Sequence, residues 1–269
     1  MGALPTPIRM DSKATGNSAD GQITRNVVDD AFAAMSSKLL LLMRADKISV
    51  TSSNIIDAMG NPLTQVTSGL SKLASDPNFN SQPSITQGNQ TNQYTASANS
   101  IGNPSAGTAV TNSFTVLTGI RYPSSPSSAN SLYGDNAGTT DSGNITGFYL
   151  DGSGNLKYSI GLTTFQQLAA GLVAAGNTYV LWISYDAVTG IFRAGVNSPA
   201  VVAQLTQSVK RNGASSSTVC HPFGYSTSGG SGNISWHRWA LFNKAFLNGS
   251  VPADDAQFSA LVNLYATFI

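Results

Sequence analysis

Tyr133, Asp135, Asn136 and Asp141 place one aromatic ring, two carboxylates and a carboxamide in a single short stretch. Such a stretch suits a sugar: the ring faces the C–H side of a pyranose, and the Asp and Asn groups hydrogen-bond its hydroxyls. Trp239 joins the glycan-binding candidates, because strict alternation along 234–242 sets it opposite Trp236. The same carboxylates invite calcium. Asp135, Asp141 and Asp151 are the candidate ligands, although calcium asks for six to eight oxygens, and Asp151-Gly-Ser-Gly-Asn155 also reads as a hairpin turn. Cys220 and His221 are adjacent, and His237 is the other histidine. Neighbours on a strand point to opposite faces, so a Cys–His nucleophile pair is disfavoured, and three such ligands are too few for a closed zinc site without an aspartate. All 13 acidic residues are Asp. That removes a Glu/Glu glycosidase pair and leaves Asp pairs, but these aspartates fall mainly in turns and caps. The expectation is therefore a protein that is not an enzyme, with no catalytic residue and no cofactor beyond calcium.

Composition narrows the partners. Charged residues are 10% of 269 and the net charge is +1, against about 25% charged in an average soluble protein. No basic run is present, so nucleic acid is not an expected partner. One cysteine excludes an internal disulfide framework. The longest apolar run, Leu39 to Met43, is far short of the roughly 20 residues a membrane span needs. The first residues lack the basic start and apolar core of a secretory signal. A chain made in the host cytoplasm and carried out on a virus particle would reconcile these facts with a surface role.

The elements that must position these residues are mostly strands. Residues 1–25 are polar and aperiodic, either a disordered tail or an arm that orders on a partner. Residues 26–37 predict a short helix capped by Thr24, with Val28, Phe32 and Met35 on one face. It either packs on the domain or forms an oligomer contact. Leu39 to Arg44 is a strand buried on both faces. Residues 51–108 read as loops between short strands, Val110 to Tyr122 as a strand, and 123–143 as a loop. A hairpin follows at 147–160, then strands at 178–185 and 191–196, with 205–231 loop-like. On the closing strand, alternation puts Ile234, Trp236, Ala240 and Phe242 on one face and Ser235, His237, Trp239 and Leu241 on the other, which would expose Trp239 and His237. Pro252 opens a helix whose stripe is Phe258, Leu261, Val262 and Tyr265. Many short strands punctuated by turns argue for a two-sheet sandwich or jelly roll.

Three segments resemble the concanavalin A-like lectin/glucanase superfamily in its laminin-G-like form. Leu40-Leu-Leu-Met-Arg-Ala-Asp46 with Asp57-Ala-Met-Gly-Asn61 is similar to the opening strand and its turn. Gly190-Ile-Phe-Arg-Ala-Gly-Val196 after Tyr179–Tyr185 is similar to the central hairpin. Ile234 to Phe246 with the 252–266 helix is similar to the closing strand and helix. The resemblance implies a mainly β, two-sheet concanavalin A-like jelly-roll sandwich over 38–269, behind an arm and short helix at 1–37. It implies glycan or protein binding more often than catalysis, and calcium near the ligand site in some members. With the polar arm, it leads to the expectation of a bacteriophage virion structural protein. That would be a tail-fibre or receptor-binding appendage bound to other virion proteins through residues 1–37, oligomeric and trimeric if a fibre, reading a host-surface glycan. A capsid decoration or head-fibre protein is the alternative, and a carbohydrate-active enzyme the second.

Overall fold

A computed structural model describes residues 26–52, 54–65, 70–87, 94–97, 113–136, 146–160, 165–207, 219–223 and 233–269. Among the described residues, two antiparallel eight-stranded sheets stack face to face in a jelly-roll sandwich. The first contains β1 (Leu39–Arg44), β4 (Ser71–Asp76), β5 (Gln82–Thr86), β7 (Phe114–Arg121), β12 (Thr178–Asp186), β13 (Ile191–Val196), β14 (Ala203–Thr206) and β16 (Ser235–Phe242). Its order is β14-β13-β12-β7-β16-β5-β4, with β1 also pairing on β16. The second contains β2 (Asn54–Ile56), β3 (Pro62–Gln65), β6 (Tyr94–Ser97), β8 (Ala129–Asn136), β9 (Thr146–Asp151), β10 (Leu156–Ile160), β11 (Gln166–Ala169) and β15 (Val219–Pro222), in the order β11-β10-β9-β8-β15-β6-β3-β2.

Helices α1 (Val27–Ala34) and α2 (Pro252–Phe268) form a third layer over the first sheet. Two cores follow. One fills the space between the sheets, around Phe114, Tyr133, Phe148, Phe192, Trp236 and Trp239. The other lies between helices and first sheet, where Val28, Phe32, Phe258, Leu261, Val262 and Tyr265 meet Leu42, Leu117, Trp182 and Phe242. A sheet covered on both faces must be apolar on both faces, which is why β1, β7, β12 and β16 are almost uniformly buried. Gly119 of β7 lies directly under α2: a Cβ there would run into the Tyr265 hydroxyl and Ile269.

The elements hold several surprises for the sequence. The cap of α1 is Asn26, whose Oδ1 accepts from Val28 N at 3.1 Å and Asp29 N at 3.3 Å, whereas Thr24 lies outside the described residues. The helix packs on α2, so of its two expected roles the structure displays the packing one. Residues 129–136, expected as loop, form β8, which pairs with β9 and β15. On β16 the register shifts between Trp236, opposite Ile120, and Arg238, opposite Gly119. That β-bulge at His237 re-aims the side chains after it. Trp236, Trp239 and Leu241 all face the inter-sheet core, while Ala240 and Phe242 face the helices. The expectation that Trp239 and His237 are exposed is thus corrected: their exposures are 0% and 3%.

The bulge also sends a charge into the helix layer. Arg238, 2% exposed, meets Asp29 Oδ1 of α1 at 2.6 Å, and its guanidinium lies 5.5 Å from the Phe268 ring centroid and 6.0 Å from that of Phe32. Asp29 Oδ2 contacts Arg44 Nη1 at 3.1 Å, and Arg44 forks onto Asp46 at 2.8 and 3.1 Å. Burial pulls the Arg238 pKa down, while Asp29 pushes it back up.

Candidate functional site

The outer face of the second sheet carries a polar row built on the β9–β10 hairpin. Asp151 shapes the turn. Its Oδ1 accepts from Ser153 N and Asn155 N, both at 3.0 Å, and its Oδ2 accepts from Asn155 Nδ2 at 2.9 Å. Gly154 takes the positive φ of 75° that the turn needs. Burial raises the Asp151 pKa, but hydrogen bonds from Asn155, Ser153 and Lys157 outweigh it and hold the carboxyl below its ordinary value. Two residues past the turn, Lys157 sits between Tyr149 of β9 and Gln167 of β11. Its Nζ donates to Gln167 Oε1 at 2.9 Å and lies 3.4 Å from Asp151 Oδ2.

Beside this ammonium lies a half-buried ring pair. Tyr149 and Phe165 meet edge to face, centroids 4.8 Å apart. Inward neighbours Phe148, Leu150, Leu156 and Tyr158 anchor the hairpin in the core, so the row rides on a rigid sheet. The chemistry offered is an aromatic platform with donors and acceptors beside it. Lys157 keeps a third N–H, and the exposed Gln167 keeps its amide N–H groups. Asp151, Lys157 and Gln167 neutralise and orient one another, so the row is preorganised without net charge.

A second concavity, of about 480 Å³, opens on the opposite side of the sandwich, between the last turns of α2, the start of β12 and the bend after β13. Thr178, Tyr179, Val180, Asn197, Asn263, Ala266, Thr267 and Ile269 line it. The Tyr179 side chain belongs to the other face of β12, where it packs against the inter-sheet core.

The sequence candidates are distributed differently from expectation. Tyr133 is fully buried, its ring 5.1 Å from Phe114, 6.0 Å from Phe148 and 6.2 Å from Trp239. Trp239 is equally buried and donates Nε1–H to Leu132 O at 2.9 Å. Neither ring is available to stack on a ligand, because β8 and the bulged β16 turn them into the core. The side chains of Asp135 and Asn136, and all of Asp141, lie outside the described residues. Asp151 is placed in the hairpin, its oxygens engaged by the turn and Lys157. Among the described residues no group of three His, Cys, Asp or Glu side chains is positioned to hold a metal. Cys220 joins the inter-sheet core, and His221, next along β15, pairs instead with Thr95 (Nδ1 to Oγ1, 3.4 Å). Asp57, in the opening turn, accepts from Leu42 N, Met59 N, Asn61 N and Asn61 Nδ2, a structural brace. Tyr149, Lys157 and Gln167 were missed as site residues. Their signal was present, since the hairpin register 147–160 alone puts Tyr149 and Lys157 on one outward face.

No protein-family model matches the chain, and no curated protein matches it in sequence. Solved structures do match in fold. A Trypanosoma rangeli sialidase in complex with 2,3-difluorosialic acid superposes with a TM-score of 0.55 at 9% identity, over 86% of this chain and 32% of the sialidase. The binding domain of Paraclostridial Mosquitocidal Protein 1 superposes with a TM-score of 0.58 at 13% identity, over 86% of this chain and 53% of that one. A protein designated HCR/D-Sa-GBL1/C gives 0.54 at 12% identity, over 86% and 53%. The sandwich fold is shared. The chain spans between a third and about half of these neighbours' lengths. They correct one expectation: sialidases are enzymes and share this sandwich, so the fold does not support reading the chain as a non-enzyme.

Proposed function

We propose that this chain is a carbohydrate-binding β-sandwich module. The observation that carries the reading is the Tyr149–Lys157–Gln167 row on a rigid sheet face. A ring beside a preorganised, charge-balanced set of amide, ammonium and carboxylate groups complements a pyranose, which presents one C–H face and a rim of hydroxyls. A sialidase solved with sialic acid and the binding domain of a mosquitocidal protein, both on this fold, support it. Replacing Tyr149 by Ala is expected to weaken glycan binding at least tenfold, about 1.4 kcal/mol, while loss of the Phe165 ring contact lowers stability by about 1 kcal/mol without unfolding the domain. A glycan-array screen followed by titration reads this, and an unaltered affinity would overturn the row as the site.

In its finer form the reading sets the module on a bacteriophage particle, as a tail-fibre or receptor-binding appendage directed at host-surface glycan and held through residues 1–37. Capsid decoration is the alternative setting. The support is the sequence: a polar, aperiodic arm before a domain with sparse charge. Removing residues 1–25 leaves α1 and its docking intact. The truncated chain is expected to keep glycan binding and to be lost from particles; normal incorporation would overturn the arm's role.

Glycoside cleavage is a second reading, favoured by the sialidase neighbours. Release of sialic acid from a sialoside by the purified chain would establish it.

A further inference from the structure

We infer that the concavity between α2 and the start of β12 is a second binding site, shaped for the acetamido group of an uncharged amino sugar. The inference rests on the carbohydrate reading but on different residues, on the opposite face of the sandwich.

The polarity of three lining groups, Asn197, Thr178 and Thr267, is already fixed by their internal bonds. Asn197 adopts a left-handed φ of 55°, which asparagine tolerates better than most residues. Its backbone N–H donates to Val180 O at 2.7 Å and its Oδ1 accepts from Val180 N at 2.8 Å. That pair locks the side chain and leaves Nδ2 as an open donor. Thr178 Oγ1 donates to Asn78 O at 2.7 Å, and Thr267 Oγ1 donates to Leu264 O at 2.8 Å. With both protons committed, each hydroxyl oxygen meets a ligand as an acceptor. Asn263, exposed on α2, makes no side-chain hydrogen bond among the described residues and offers both a donor and an acceptor. Ala266 and Ile269 add a small apolar surface.

A ligand that answers this set needs an N–H, a C=O and a methyl close together. An acetamido group has all three: its carbonyl meets the Asn197 and Asn263 amides, its N–H a threonine oxygen, and its methyl Ala266 and Ile269. A plain hydroxyl supplies nothing for the apolar wall. A carboxylate is excluded on charge, since none of the lining side chains is a cation. Arg121 pairs with Thr178 from the far side of β12, away from Asn197. A carboxylate entering here would meet the Asn197 and Asn263 amides but no lining cation to offset the loss of its hydration. The site therefore differs in preference from the sialic acid that accompanies one of the sialidase neighbours. The volume of about 480 Å³ lies within the roughly 300–1,000 Å³ of small-molecule sites.

The test is titration and saturation-transfer NMR on the full chain. The probes are the methyl glycoside of N-acetylglucosamine, methyl glucoside and N-acetylneuraminic acid. We expect the acetyl methyl of the amino sugar to receive the strongest transfer, and the other two to bind at least tenfold more weakly. Asn263→Ala, at an exposed helix position where alanine favours the fold, should weaken the amino sugar at least tenfold; Tyr149→Ala should not. Glucoside binding as tight as the amino sugar, or an unaffected Asn263→Ala variant, would overturn the inference. Amino-sugar binding lost with Tyr149→Ala alone would assign it to the hairpin row, sinking this site and sparing the carbohydrate reading. Absence of any glycan binding in the wild type would sink both.

Discussion

Asp29→Ala is expected to destabilise the protein by about 3–5 kcal/mol, the cost of stranding buried charge. Asp29 is the carboxylate between two guanidiniums, those of Arg238 and Arg44. Arg44 keeps Asp46 as a bidentate partner, but Arg238 has no other ion pair among the described residues. Its Nε and Nη1 already lack hydrogen-bond partners, and only the Phe268 and Phe32 rings face it. Removing Asp29 leaves a cation 2% exposed, compensated by aromatic faces and the fields of Tyr265 and Asp46 but with no carboxylate in contact among the described residues. It also removes the ionic link between α1 and the sheet, leaving the apolar packing of Val28, Phe32 and Met35 to hold the helix. For a domain of this size the loss corresponds to roughly 5–10 °C in the thermal midpoint. The double variant Asp29→Ala with Arg238→Met should recover much of that loss, because a methionine fills the slot without charge. Urea unfolding of the single and double variants decides it. A single variant within 1 kcal/mol of wild type would show that the pair does not hold α1 in place.

That ion pair illustrates what the sequence leaves out. The α2 stripe of Phe258, Leu261, Val262 and Tyr265 was legible because a 3.6-residue period is a local property, and all four are buried. The inward set Phe114, Val116, Ile120 and Tyr122 was legible for the same reason at period two. Arg238 read as an interruption on β16, since nothing local announces that a bulge one residue earlier will aim it at a helix from the other end of the chain. The bulge is decided by pairing with β7, and it alone moves Trp239 from an expected outer face to the core. Tyr133 failed differently. Its surroundings are Ser, Asn, Pro and Gly, a composition that argues loop, yet β9 and β15 satisfy its backbone on both sides. A central strand needs partners more than it needs strand-like residues.

The candidate sites divide along the same line. The hairpin row follows from a turn motif plus alternation, both readable in one segment. The α2 pocket draws on three segments, and none of Thr178, Asn197 or Asn263 carries a pattern by itself. What makes them a site is that neighbouring backbone has consumed one half of the hydrogen-bonding capacity of Thr178 and Asn197 and left the Asn263 amide open beside them. Such selective consumption exists only in the folded chain. A fold shared with both a sialidase and the binding domain of a mosquitocidal protein leaves chemistry to such side-chain detail, which is why the sialidase likeness directs assays and does not assign an activity.

Stability should fall steeply between pH 6.5 and pH 4.5, before most carboxylates titrate. Two buried histidines dictate this. Burial drives the His221 pKa down to about 4, against a small opposing contribution from the Tyr94 backbone. His237, beside Tyr265 Oη at 3.3 Å, is pushed well below its ordinary value by burial and by the Arg238 and Arg44 charges. Both are neutral in the folded state, whereas the unfolded chain protonates them near pH 6.5. The unfolded state thus binds more protons, so the stabilisation is complete above pH 6.5 and is lost as the pH falls towards the folded values. For His221 the shift amounts to about 2 kcal/mol by pH 5 and on the order of 3 kcal/mol at pH 4; His237 adds to it with the same sign. Asp57 opposes them, because burial outweighs its four hydrogen bonds and raises its pKa, so protonation favours the folded state there. Asp151 and Asp254 are depressed by their partners, and their loss comes at lower pH, outside this window. Urea midpoints at pH 7.5, 6, 5 and 4.5 measure the slope, and a His221→Gln variant should be markedly flatter than wild type. A wild-type profile level from pH 7.5 to 4.5 would mean that neither imidazole is held neutral by burial.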